Sequence, residues 1–141
     1  MKLDLLILAI APVATIILWI YLKDKYDLYI VSNGTSSVQD RRIAGAHLEK
    51  YFKKIFISQR VGINKPDIRF FERCFAEIPN LNKDETIIVG DSLSSDIQGG
   101  INAGIKTCWY NPHNLTTPDN MKINYVIGNL EELYDVLKKE K

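Results

Sequence analysis

The sequence predicts an α/β domain built around a parallel sheet. Short apolar or β-branched runs alternate with stretches of helical periodicity, and the spacing between runs suits right-handed crossovers. Several runs end directly in Ser, Asn, Gly or Asp, which is where such sheets gather ligands.

Taken in order, Asp27-Leu28-Tyr29-Ile30-Val31 reads as a strand running into the turn Ser32-Asn33-Gly34. Ser36 to Tyr51 reads as a helix with Val38, Ile43 and Leu48 facing inward, and Phe52 to Ser58 as a second strand. Lys65-Pro66 announces another helix, because proline suits a first helical position and Ile68, Phe71, Cys74 and Phe75 follow at helical spacing. Thr86 to Val89 is a compact apolar strand, and Ser94 to Gly104 a helix that Gly104 would stop. Lys106 to Tyr110 and Tyr125 to Ile127 are further strands, with a loop over Asn111 to Asn120 between them. Leu130, Leu133 and Leu137 lie on one side of an amphipathic closing helix.

Size and composition bound the function. With 141 residues, 46% hydrophobic and 25% charged, the chain is one ordinary domain, or one small domain with an appendage. A net charge of +1 and the absence of a basic stripe argue against a nucleic-acid partner. Cys74 and Cys108 lie far apart without metal-ligand spacing, as expected of buried, reduced thiols.

The head of the chain allows two readings. Leu5 to Leu22 carries no charge over about eighteen residues, and as a helix would measure about 27 Å, near the hydrocarbon thickness of a bilayer. Trp19, Tyr21, Lys23 and Lys25 would then sit at the interface, anchoring a cytoplasmic core to a membrane. On this reading residues 1–25 form an apolar segment and 26–141 the core. Alternatively, Leu3 to Ile10 is a fully buried parallel strand that Pro12 ends, followed by a helix over Thr15 to Lys25.

Three strand ends carry chemistry. Ser32-Asn33-Gly34 offers a hydroxyl and backbone N–H groups to an anion. Lys65 enters a helix and could project a compact positive charge toward a phosphate. In Gly90-Asp91-Ser92-Leu93-Ser94-Ser95-Asp96, two carboxylates could converge on a hard divalent cation such as Mg²⁺. Each has an ordinary explanation when taken alone: a turn, a surface lysine, an acidic helix start.

Their order is distinctive. A hydroxyl after an apolar strand, then Lys-Pro, then a strand followed by GDSxxxD resembles the haloacid dehalogenase superfamily. The stretch Ile88 to Ala103, with Cys108-Trp109-Tyr110-Asn111, resembles its pyrimidine 5′-nucleotidase branch. The resemblance implies a Rossmann-like core, a three-layer parallel sheet, and Mg²⁺-dependent hydrolysis of a small, nucleotide-like phosphorylated metabolite. It implies that Ser32, Asn33, Gly34 and Lys65 bind phosphate, and that Ser32, Lys65 and Asp91 serve catalysis. Asp91 would be a metal ligand, and Asp96 the supporting acidic residue of the metal site.

One part of the pattern is missing. The family's nucleophilic DxDx[TV] motif, which should follow a strand before Ser32, does not occur, and neither does the helical cap inserted after it. Without a nucleophile most of the rate should be lost. The family also places its first strand mid-sheet, so its loss would leave an incomplete sheet whose unpaired backbone groups cost about 1–3 kcal/mol each if buried. The Leu3 to Ile10 run would have to fill the gap; otherwise water, a partner chain supplying a strand, or partial unfolding must serve.

Overall fold

The computed structural model describes residues 4–7, 16–33 and 49–140. Six strands form one sheet: β1 (Asp4–Ile7), β2 (Asp27–Ser32), β3 (Lys54–Ile57), β4 (Thr86–Gly90), β5 (Lys106–Tyr110) and β6 (Tyr125–Ile127). All pairings are parallel, in the order β3-β2-β1-β4-β5-β6. The helices are α1 (Ile16–Lys23), α2 (Ser58–Val61), α3 (Ile68–Phe75), α4 (Gln98–Ala103) and α5 (Leu133–Lys139).

The strand reading of the apolar head is the one realised. β1 lies at the centre, with Leu5 opposite Leu28 on one side and Ile87 on the other, and Ile7 opposite Ile30 and Val89. This corrects three expectations. A membrane span through residues 5–22 is incompatible with a strand at 4–7, and α1 has 8 residues, about 12 Å of helix against the roughly 30 Å of a bilayer core. Among the described residues no helix is long and apolar enough to cross a membrane, so membrane anchoring by this segment falls with the span. No partner chain is required to supply the mid-sheet strand either, because the chain supplies its own. The confusion has a physical origin: a central parallel strand is covered on both faces and is apolar throughout, like a membrane helix read in a short window.

Side-chain alternation builds the core on both faces. Leu28, Ile30, Ile87 and Val89 point to one side and pack with Leu22 of α1 and Leu133, Val136 and Leu137 of α5. Tyr29, Val31, Ile88 and Phe56 point to the other and meet Phe70, Phe71 and Cys74 of α3, with Ala103 of α4. The result is the expected three-layer α/β/α arrangement.

Boundaries shift where capping chemistry decides. α3 starts at Ile68, not at Pro66, because the Asp67 carboxylate accepts the Arg69 N–H at 2.9 Å and sets the cap. The stretch after β4 opens as a π-turn over Leu93–Ile97 before α4 begins. Gly104 ends α4 with φ +75°, a left-handed conformation suited to glycine. Asn129 and Glu132 form a reciprocal capping box ahead of α5. The expected helix over Ser36 to Tyr51 lies almost wholly outside the described residues, apart from a 3₁₀ turn at Glu49–Tyr51.

Placing β1 mid-sheet generates a stability prediction. Leu6→Pro removes a ladder donor between two strands and leaves a buried carbonyl unpaired, which should cost at least about 1–3 kcal/mol. Val126→Pro, on the edge strand β6, should cost less. Urea unfolding of both variants is the measurement, and equal costs would contradict a central β1.

Candidate functional site

The carboxyl ends of β2 and β4, on either side of β1, form one corner. β2 ends at Ser32, which is 3% exposed, with its hydroxyl donating to the Asn33 carbonyl at 3.1 Å. The Asn33 side chain reaches across to Lys65. Its Oδ1 accepts the Lys65 backbone N–H at 3.0 Å, and its Nδ2 donates to the Lys65 carbonyl at 3.2 Å. Asn33 therefore holds the Lys65 peptide in place, a role its position in a turn motif did not reveal.

Held in this way, the Lys65 side chain runs inward, with a side-chain exposure of 1%. Its Nζ donates to Asp96 Oδ1 at 2.6 Å and to the Val31 carbonyl at 3.2 Å. An ammonium has three donors, so one remains beyond these two contacts. The Lys65-Pro66 peptide is cis, and the Pro66 carbonyl accepts from Asn102 Nδ2 at 3.0 Å.

Asp96 is fully buried, and both of its oxygens are engaged. Oδ1 accepts from Lys65 and, at 3.3 Å, from the Ser95 hydroxyl; Oδ2 accepts the Ser92 backbone N–H at 3.0 Å. The π-turn produces this arrangement. Ser92 Oγ caps the Ser95 N–H at 3.2 Å, while the Ser92 carbonyl accepts from both Asp96 N and Ile97 N. Gly90 makes room for it, since a Cβ there would lie 2.5 Å from Asp96 Oδ2.

Burial dominates the titration of both partners. It pushes the Asp96 carboxyl above its ordinary range, against the opposing pull of Lys65 and the Ser92 N–H. It pulls the Lys65 ammonium below its ordinary value, against the opposing pull of Asp96.

Asp91 is different. It is exposed and no hydrogen bond joins it to the buried pair, yet its charge acts on both Lys65 and Asp96. Its carbonyl is held from below by the indole N–H of buried Trp109 at 3.0 Å. The corner thus joins Ser32, Asn33, Lys65 and Asp96 by direct or sequential contacts, with Asp91 at its open rim. Gly34 lies outside the described residues.

Residues 5 to 23 contain no Asp or Glu. Asp4 opens β1 opposite Asp27 and Thr86, at the amino ends of the strands. Gly90 lies four residues beyond Thr86, about 13 Å along the strand direction. Asp4 and Asp27 are therefore at the wrong edge of the sheet to serve this corner.

Residues 11–110 match the family described as haloacid dehalogenase-like hydrolase. The chain belongs to that family. It is 42% identical over 114 residues to the pyrimidine 5′-nucleotidase PynA of Streptococcus pneumoniae, covering 81% of this chain and 48% of the relative. The pyrimidine 5′-nucleotidase YjjG of Escherichia coli is 36% identical over 110 residues, covering 78% of this chain and 49% of that protein. The crystal structure of YfnB from Bacillus subtilis bound to magnesium superimposes with a TM-score of 0.86 at 40% identity, covering 88% of this chain and 54% of that one. The chain therefore spans about half the length of the curated relatives it matches.

Magnesium is implied by this kinship, and the donor set decides how well it fits. Mg²⁺ is ordinarily held by one or two carboxylates together with water and substrate phosphate. Asp96 has both oxygens committed to protein donors, which among the described residues leaves Asp91 as the carboxylate at this corner open to a metal. Among the described residues no group of three His, Cys, Asp or Glu side chains gathers as metal ligands would. Among the described residues the set suits an ion that completes its shell with outside oxygens, not one held by protein side chains alone.

The buried pair yields a pH-dependent prediction. Lys65→Met leaves Asp96 desolvated without its cation, so its carboxyl should rise further above the ordinary range. A raised carboxyl holds its proton more tightly in the folded state, so the stability it contributes is present at low pH and lost as pH climbs through the folded value. The variant should lose roughly 3–5 kcal/mol at about pH 8 and distinctly less at about pH 5. Adding Asp96→Asn should recover much of the loss. Urea unfolding at the two pH values is the check, and a penalty independent of pH would contradict it.

Proposed function

We propose that this chain is a phosphate-monoester-handling core of the pyrimidine 5′-nucleotidase type, with hydrolytic turnover impaired for want of a nucleophile. The observation that carries the reading is the Lys65 ammonium. It is buried at the carboxyl edge of the sheet, fixed by Asp96 and Val31, with one donor left over. A lysine immobilised in that way balances charge on a phosphoryl group without reorganising when the group arrives. The Ser32 hydroxyl stands at the neighbouring strand end and can turn from the Asn33 carbonyl to a phosphoryl oxygen. PynA and YjjG, by name pyrimidine 5′-nucleotidases, support a nucleotide-like ligand.

Asp91 and a phosphate oxygen would together hold Mg²⁺, which when bound supplies charge neutralisation at the phosphoryl group. The remaining roles belong to the chain. Lys65 and Ser32 bind and orient; Asp96 keeps Lys65 charged and in place; Asn33 fixes the Lys65 backbone. What this set lacks is an attacking group. In phosphoryl transfer by covalent catalysis, its loss leaves only binding and electrostatic contributions.

Turnover of p-nitrophenyl phosphate and of uridine 5′-monophosphate in the presence of Mg²⁺ is expected to be negligible. Robust Mg²⁺-dependent phosphate release that disappears in Asp91→Asn would reveal a competent nucleophile and overturn the impaired reading.

A further inference from the structure

We infer that a second anion site, for a small metabolite carrying two or more negative charges, lies at the amino edge of the sheet, where β4, β5 and β6 begin. It stands at the opposite edge from Ser32 and Asp91 and shares no residue with that corner.

The strand starts supply the charge. Lys83 sits in the 3₁₀ turn Lys83–Glu85 that leads into β4, Lys106 opens β5, and Lys122 lies shortly ahead of β6. The three strands are consecutive in the sheet, and neighbouring strands lie only about 4.8 Å apart. All three lysines line one cavity of about 320 Å³. The whole chain carries a net charge of +1, so this is a local concentration of charge and not a reflection of composition.

The walls of the cavity are fixed by hydrogen bonds. Asn82 Oδ1 accepts the Asp84 N–H at 3.0 Å, and the Thr86 hydroxyl donates to the Asn82 carbonyl at 2.7 Å, which holds the Lys83 turn. Across the cavity, buried Thr107 donates its N–H to Asn124 Oδ1 at 2.9 Å, and its hydroxyl accepts the Asn124 N–H at 3.1 Å. That exchange docks the segment carrying Lys122 on β5. Gly104 adds bare backbone to the wall, since a Cβ there would meet no atom within 4 Å.

This frame leaves several donors uncommitted. Lys106 is paired with Glu140, which uses one of its three N–H donors. Among the described residues neither Lys83 nor Lys122 has a carboxylate partner, and Lys83 lies 6.0 Å from the Phe75 ring centroid. Asp84, the carboxylate on this wall, forms no ion pair among the described residues either. Asn124 gives its amide oxygen to Thr107, and its N–H₂ makes no hydrogen bond among the described residues.

The chemistry of these groups selects the ligand. An ammonium is a compact charge with rotatable donors, and it holds a phosphate or carboxylate oxygen without demanding a bidentate geometry. One negative charge would satisfy one lysine; engaging Lys83, Lys122 and the free donors of Lys106 takes two or more. The volume lies at the lower end of small-molecule sites, which suits a compact polyanion and not a polymer.

The experiment is a calorimetric titration of the intact chain, free of divalent metal, with inorganic pyrophosphate and separately with citrate. Saturable binding is expected, and the tighter of the two anions tells whether the site prefers phosphoryl or carboxylate oxygens. Lys83→Gln combined with Lys122→Gln, both exposed positions, should weaken binding at least about tenfold. Lys23→Gln combined with Lys50→Gln removes the same charge from exposed positions outside the cavity and should change affinity less than about twofold. The amide resonances of Gly104 and Asn124 should shift as the anion is added. Absence of saturable binding by both anions, equal losses in the two lysine pairs, or resonance shifts confined to Asn33 and Ser92 would each overturn the inference.

Discussion

The contact between Lys65 Nζ and Asp96 Oδ1 ties the candidate site to the fold. It joins the segment between β3 and α3 to the turn after β4, two pieces of chain 31 residues apart, inside a region closed to water. Neither charge could be buried alone, and the pair is tolerated because each member has further partners. Val31 accepts from the lysine, and Ser92 and Ser95 donate to the aspartate. Around the pair, Asn33 fixes one peptide, Gly90 leaves space for the carboxylate, and the π-turn aims the Ser92 amide. Truncating either partner exposes the other to the full desolvation cost. This makes the pair a structural constraint whether or not a ligand ever arrives.

β1 separates two demands that the family normally meets with one strand. The sheet requires an extended, apolar segment with its backbone groups paired on both sides, and Asp4–Ile7 provides that opposite β2 and β4. Chemistry requires carboxylates at that strand's far end. Backbone pairing is indifferent to side-chain identity, so a sequence can satisfy the first demand and fail the second. Asp4–Ile7 meets the first demand, and residues 5 to 23 carry no carboxylate.

Much of this was legible in the sequence because it depended on local pattern. The runs at Leu28, Ile87 and Thr107 announced strands through β-branched composition, and the apolar runs ahead of Ser32 and Asp91 put those two at strand ends, whereas Lys65 lies between α2 and α3. The apolar head was ambiguous, because burial on both faces and immersion in lipid leave the same composition. Only the pairing of Leu5 with both Leu28 and Ile87 distinguishes them. The roles of Asn33 and Trp109 were hidden for another reason. Each acts through hydrogen bonds across the fold, 32 and 18 residues away in sequence, and no local window contains both ends. The π-turn was equally hidden, since helical periodicity at Ser94 to Gly104 does not reveal one added residue in the first turn.

The two aspartates of the GDSxxxD turn show how a single motif divides labour through burial. Asp96 is inside, its oxygens committed to donors, and its charge is used to hold Lys65. Asp91 is five residues earlier, its carbonyl pinned by the Trp109 indole while its carboxylate stands in solvent. The peptide at Asp91 is therefore held by the Trp109 indole, while its side chain is exposed. With the peptide already fixed, ordering this carboxylate would cost side-chain rotamer freedom alone. The corner therefore holds two unlike carboxylates: one in a buried pair that positions a positive charge, and one exposed at the rim.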